Sequence, residues 1–103
     1  MPEYRLAIPP RVADRIGKFP PDLKRRVREA MRAIAGDPAQ GEPLKRDLSG
    51  YIKYRVRRFR IVYEADRAAR TVRIMAVGHR RVVYEELAEG LRGRAAEHSG
   101  NRL

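Results

Sequence analysis

Apolar positions recur along this chain with two periods, and the period separates its strands from its helices. Near the start, Tyr4, Leu6 and Ile8 alternate with Arg5 and Ala7, the period-two pattern of a half-buried strand, which Pro9-Pro10 stops. Val12, Ile16 and Phe19 then recur at i, i+4 and i+7. They predict a helix that begins at Pro10, where the missing N–H costs nothing, and ends before Pro20-Pro21. A second helix follows from about Pro21 to Ala35. Leu23, Val27, Ala30, Met31 and Ile34 form its apolar stripe, Lys24, Arg25, Arg28 and Arg32 lie off it, and Gly36 and Pro38 close it.

After the polar loop Asp37 to Pro43 the period returns to two. Ile52, Tyr54 and Val56 alternate with Tyr51, Lys53 and Arg55, so one face of the strand is apolar and the other cationic. Phe59, Ile61 and Tyr63 alternate likewise with Arg60, Val62 and Glu64, which makes a hairpin. Its turn, Arg57-Arg58, lacks the Gly or Asn that tolerates positive φ, so a strained or loosened connection is expected. Tyr63 shares the parity of Phe59 and Ile61 and is expected in the core. Asp66 to Ala69 reads as a second turn, and Thr71 to Val77 as a central strand ended by Gly78. Val83, Leu87 and Leu91 predict a short C-terminal helix weakened by Gly90 and Gly93, and residues 94–103, with His98, a flexible tail.

The order β-α-α-β-β-β-α gives an α+β fold class: a curved, antiparallel-rich sheet with a helical hairpin packed on one face. One domain over residues 1–93 is expected, because 103 residues support one core. The other face of the sheet is expected to stay open and to present Lys53, Arg55 and Arg60 from neighbouring strands.

Charge sharpens that picture. The chain carries 24 Lys and Arg against 13 Asp and Glu, a net charge of +11, which suits a polyanionic partner such as nucleic acid. Twenty of the 24 basic residues are Arg, a bias that a GC-rich genome alone can produce, so their distribution has to decide. Between Lys45 and Arg60 seven cations (Lys45, Arg46, Lys53, Arg55, Arg57, Arg58, Arg60) face one acid, Asp47, and that clustering favours a binding surface. With no cysteine, disulfides, thiolate metal sites and thiol nucleophiles are excluded. No apolar run approaches the ~20 residues of a membrane span and the N-terminus lacks the apolar core of a signal peptide, so a cytoplasmic location without membrane contact is expected.

The segment LKRDLSGYIKYRVRRFRIVYEAD, followed by VGHRRVVYEEL, resembles the RelE/ParE toxin superfamily. Leu44, Leu48, Gly50 and Tyr51 match its first stretch, Arg55, Phe59, Arg60 and Tyr63 its hairpin, and His79, Arg80 and Tyr84 its C-terminal group; the resemblance spans about residues 4–90. It implies the microbial-RNase-like fold and the toxin of a type II toxin–antitoxin pair, a ribosome-dependent endoribonuclease acting on mRNA. The catalytic positions so implied are Lys53, Arg60, Arg80 and Tyr84, with Arg55, Tyr51, Lys45, Arg46 and His79 as substrate-binding candidates. No metal or cofactor is implied. The partners would be the ribosome, mRNA and a cognate antitoxin whose acidic segment covers the cationic face, with the weak C-terminal helix as an element for it to displace.

The chemistry makes this set intelligible. RNA is cut without metal when its 2′-hydroxyl is deprotonated and attacks the adjacent phosphorus and the 5′-oxygen leaves, provided that a base, an acid for the leaving oxygen and charge stabilisation are supplied. Cationic neighbours favour the deprotonated form of a Lys or Tyr, which leaves Lys53 and Tyr84 as alternatives for the base. Some relatives place two Lys on the first hairpin strand, and Tyr51 stands at one of those places here. The planar forks of Arg60 and Arg80 match phosphate oxygens, and Tyr84 can alternatively stack on a base. Two other functions use the same fold and charge: a ParE-like toxin that inhibits DNA gyrase without nuclease activity, against which Tyr84 speaks, and a non-catalytic RNA-binding module.

Overall fold

A five-stranded sheet forms the middle layer of the computed structural model, which describes residues 3–89, and its strands run in the order β1-β5-β4-β3-β2. The elements are β1 (Arg5–Ala7), α1 (Pro10–Gly17), α2 (Pro21–Gly36), β2 (Glu42–Pro43), β3 (Ile52–Val56), β4 (Phe59–Asp66) and β5 (Thr71–His79). A third helix, α3, occupies residues 80–89. All neighbouring strands are antiparallel except β1, which lies parallel to β5 and pairs with Thr71 to Arg73.

Both hairpin helices start on Pro-Pro pairs. The first proline of each, Pro9 or Pro20, is forced into an extended conformation (ψ near 150°) by the ring that follows, and the second opens the helix at its first position. The stripe of α2 (Val27, Ala30, Met31, Ile34) then packs with Val12 of α1 on one face of the sheet, against Val56, Ile61, Tyr63, Val72, Ile74 and Val77. Tyr63 is fully buried and its hydroxyl donates to the Pro38 carbonyl at 2.6 Å; burial raises the phenol above its ordinary pKa.

The second face departs from expectation, because it is not simply open. Val62 pairs with Ala76 whereas Tyr63 pairs with Ile74, so Met75 is an extra residue on β5, a β-bulge. The bulge puts both Met75 and Ala76 into a second core with Tyr51, Val62, Val83 and Leu87, flanked by Leu44 and Leu48. That core is capped by α3 and by residues 44–51. The unbroken apolar run of β5 is thus apolar on both faces because both are covered, not because the strand is merely central.

Three boundaries also shift. β5 continues through Gly78 to His79 and passes into α3 with no linker; a Cβ at Gly78 would lie 3.2 Å from Val82 Cγ1, so the glycine lets the first turn of α3 sit down on the strand. The polar loop contains the short strand β2, and Ile8 lies outside β1. The expectations for Leu91, Gly90, Gly93 and the tail 94–103 fall outside the described residues. Among the described residues no helix is long and apolar enough to cross a membrane.

Candidate functional site

The β3–β4 register sets Arg55 directly opposite Arg60, and the β4–β5 register sets Arg60 opposite Gly78. Directly opposed side chains in an antiparallel pair have Cβ atoms about 4.5–5.5 Å apart, so two arginines leave the ladder side by side, and like charges so placed cost stability. The arrangement is more costly than that: the Nε of Arg60 is buried without a hydrogen-bond partner. Among the described residues neither Arg55 nor Arg60 has a carboxylate partner. Gly78, on the other side of Arg60, adds no side chain to fill the space.

The α3 helix approaches the same place. At 100° per residue, Val83 and Leu87 point at the sheet, Glu86 falls on one flank of that stripe, and Arg80 and Tyr84, one turn apart, on the other. Glu86 looks toward α1, at the β5 edge, where its carboxylate lies 2.6 Å from Arg15 Nε. Arg80 and Tyr84 lie on the opposite flank, the one turned away from the β5 edge, with Arg80 exposed and Tyr84 half-buried. Arg80 and Arg81 also fill the first turn of α3, where the helix dipole disfavours cations. Stability would place acids there, yet Glu85 and Glu86 come a turn later.

Not every sequence candidate joins this group. Lys53 lies on the right face but is ion-paired: its Nζ is 3.4 Å from Glu42 Oε2 on β2, with the lysine side chain only 16% exposed. Tyr51, taken from the alternation as a substrate-binding residue on the cationic face, is 6% exposed and belongs to the second core; the segment 44–51 folds over it. His79 has the parity of the helical-hairpin face. Its ring lies 4.2 Å from that of Phe59, which in turn meets Phe19 edge-on at 5.2 Å, so it ends an aromatic row rather than facing Arg60. Lys45 and Arg46 are exposed on the segment that caps the second core, and Arg46 has a positive φ of 59°.

Two features carried no sequence signal. Glu42 neutralises Lys53 through a strand of two residues, which no period reveals. The clamp between Arg15 and Glu86 joins residues 71 positions apart. Arg57 takes φ 55° in the two-residue turn, so the strain expected of that turn is present, and with Arg58, Arg26, Leu23 and Phe59 it lines a cleft of about 360 Å³ against α2. Among the described residues no three His, Cys, Asp or Glu side chains gather as a metal-binding group. What the geometry offers is a pair of opposed arginines on β3 and β4 without a carboxylate partner, and planar guanidinium forks of this kind suit phosphate oxygens.

Residues 8–84 match the family model of the ParE toxin of type II toxin–antitoxin systems. Among solved structures, the chain is similar to the RelBE2 toxin–antitoxin complex of Mycobacterium tuberculosis, with 29% identity over 78% of this chain and 94% of that chain and a TM-score of 0.70. A mutant of the E. coli toxin RelE in the free state shares the fold at TM-score 0.71 and 18% identity, over 85% of this chain and 97% of that one. The YoeB–YefM complex of Staphylococcus aureus shares it at TM-score 0.62 and 20% identity, over 76% and 98%. No curated protein matches the chain.

Proposed function

The chain belongs to the ParE toxin family of type II toxin–antitoxin systems, and from that premise we propose that it is a ribosome-dependent endoribonuclease that cuts mRNA by attack of the 2′-hydroxyl, without a metal. The observation that carries this reading is the Arg55–Arg60 pair: like charges held opposite one another, with Arg60 Nε buried and unsatisfied. Such an arrangement costs stability in the free protein and is relieved by an anion, as expected of a phosphate site.

In this reading Arg60 and Arg80 hold the scissile phosphate and stabilise the charge that accumulates on it during attack. Arg55 grips a neighbouring phosphate. Because Glu42 engages Lys53, Tyr84 is the better placed candidate to take the 2′-hydroxyl proton, and Lys53 contributes positive potential from the rim. The exposed Lys45 and Arg46 extend the cationic track along the backbone. A cognate antitoxin with an acidic segment is the natural partner of this surface, as the complexes among the solved relatives suggest.

The match to the ParE model favours a second reading, inhibition of DNA gyrase by protein contact without RNA cleavage. One experiment separates the two. The parent chain, Arg80→Ala and Tyr84→Ala are each induced in cells and mRNA 5′ ends are mapped. New 5′ ends in the parent that vanish in both variants are expected. Undiminished cleavage in both variants removes the site assignment, and growth arrest without any cleavage moves the function to gyrase.

A further inference from the structure

The proposed site needs α3 at one particular rotation about its own axis, because Arg80 and Tyr84 project from its flank and not from its buried stripe. The sheet beneath does little to set that angle. Among the described residues Val83 and Leu87 are the α3 side chains in the second core, with Val82 resting on Gly78 at the first turn, and contacts so few along one side leave a short helix room to roll. Gly78 presents no side chain as a stop.

The stop is supplied from the other side of the sheet edge. β1 pairs with β5 only as far as Arg73, which leaves the edge of β5 from Ile74 onward uncovered by a strand. α1 lies along that gap, and two arginines one turn apart reach around it. Arg11 Nη2 donates to the carbonyl of Met75, the bulged residue, at 3.2 Å. Arg15 Nε lies 2.6 Å from Glu86 Oε1, and Glu86 is 8% exposed although it is a carboxylate on a surface helix. A buried carboxylate without a cation is strongly disfavoured, so α3 cannot roll without either desolvating Glu86 alone or dragging it from Arg15. Its second oxygen, Oε2, and Arg15 Nε are both buried without a hydrogen bond, so what holds the carboxylate is the charge of Arg15 rather than a wider network.

We infer that Glu86, anchored by Arg15, is a positioning residue that fixes the rotation of α3 and thereby aims Arg80 and Tyr84 at the Arg55–Arg60 pair. The inference rests on the nuclease reading above. It assigns no contact with RNA to Glu86 or Arg15; their effect is transmitted through the helix.

The test measures mRNA cleavage on purified programmed ribosomes, with the full chain as parent, Glu86→Gln, Arg15→Ala and the charge-swapped pair Arg15→Glu with Glu86→Arg. Both single variants are expected to lower kcat by 10- to 100-fold with KM changed less than 3-fold, and the swap to recover at least 5-fold of the loss. Hydrogen exchange of the folded proteins is read in parallel: amides of residues 83–87 lose protection in the singles and regain it in the swap, while those of β4 stay unchanged. Single variants that cleave like the parent overturn the inference, as does a loss that appears in KM. A swap that folds but recovers neither cleavage nor protection overturns it too. A parent that cleaves nothing overturns the nuclease reading itself, a result distinct from a parent that cleaves while the variants match it.

Discussion

The sheet face crossed by α3 carries cations at both of its ends, and the two ends are built on opposite terms. Toward the base the strand cations have acids: Lys53 meets Glu42 at 3.4 Å, and Arg73 meets Asp66 at 3.4 Å and Glu64 at 3.7 Å. Toward the tip Arg55 opposes Arg60 across the ladder, Arg60 Nε is buried without a partner, Arg57 in the turn between their strands holds a positive φ beside the α2 cleft, and Arg80 and Arg81 crowd the positive end of a helix. Each of the tip features costs stability, and none has a structural compensation among the described residues. The same residue types therefore do two jobs, solubilising the protein where they are paired and holding positive potential in reserve where they are not. Pairing, rather than charge count, locates the site.

The comparison breaks most visibly at Arg60. Arg60→Ala is expected to reduce mRNA cleavage by about 100-fold or more, the loss typical of removing one preorganised donor to transition-state charge. Urea unfolding of the same variant should show stability unchanged or raised, since the substitution removes a like-charge contact and an unsatisfied buried donor. Arg73→Ala at the base should do the reverse, leaving cleavage at the parental level and lowering stability slightly, as exposed ion pairs do. Equal losses of cleavage from both variants would erase the distinction between the ends.

Much of this was legible in the sequence, and what was not has a physical reason. The two proline pairs fixed where α1 and α2 begin, and the period-two runs placed Lys53, Arg55 and Arg60 on one face of the sheet, as the registers have it. Alternation places Tyr51 on the correct face but says nothing of what lies above it. Its cover, Leu44, Leu48, Val83 and Leu87, comes from a loop and a helix with no periodic tie to β3. The bulge at Met75 escaped notice for a related reason: in a strand apolar on both faces, a slip of one residue leaves no polar side chain out of place. Glu42 and Glu86 are single acids whose partners are set by topology, so nothing local marks them as neutralising one cation and clamping another.

Gly41→Ala probes the base from its edge. A Cβ there would press on Ile52 Cγ2, lie 2.8 Å from the Lys53 carbonyl and lie 2.8 Å from the Tyr63 hydroxyl, and the backbone contact cannot yield cheaply. Overpacking of this kind costs about 1–3 kcal/mol, which in a domain this small lowers Tm by roughly 4–8 °C per kcal/mol. Because the damage falls on β2 and the Lys53–Glu42 pair, cleavage measured well below Tm should persist. Loss of activity in a fully folded Gly41→Ala protein would show that the base does more for the site than lend potential from its rim.

Arg57→Gly tests the tip in the other direction. The residue sits at φ 55°, where a non-glycine side chain costs energy and glycine does not. A gain of roughly 0.5–1 kcal/mol is expected from denaturant midpoints once the greater freedom of glycine in the unfolded chain is set against the relief. If the strain serves only to present the Arg57 guanidinium, RNA binding should weaken by a modest factor with a shallower salt dependence.

The smallest effect should come from Asp66, and its sign is fixed by the direction of its titration. The backbone N–H of Ala69 donates to the carboxylate at 2.9 Å and holds its pKa below the ordinary value of 3.8, against an opposing desolvation, with the side chain of Arg73 adding to the lowering. A carboxyl that is more acidic folded than unfolded stabilises the protein above the unfolded value, and that contribution is lost as the pH falls through the folded one. Asp66→Asn should therefore be slightly less stable than the parent near neutrality, and the two unfolding midpoints should converge as the pH is taken below 3.8. The equivalent titration should be missing at the tip, where Arg55 and Arg60 have no carboxylate to protonate. A folded Arg60→Ala protein whose stability relative to the parent changed across the same acid range would mean that an acid partner does reach the tip, and the asymmetry between the two ends would lose its basis.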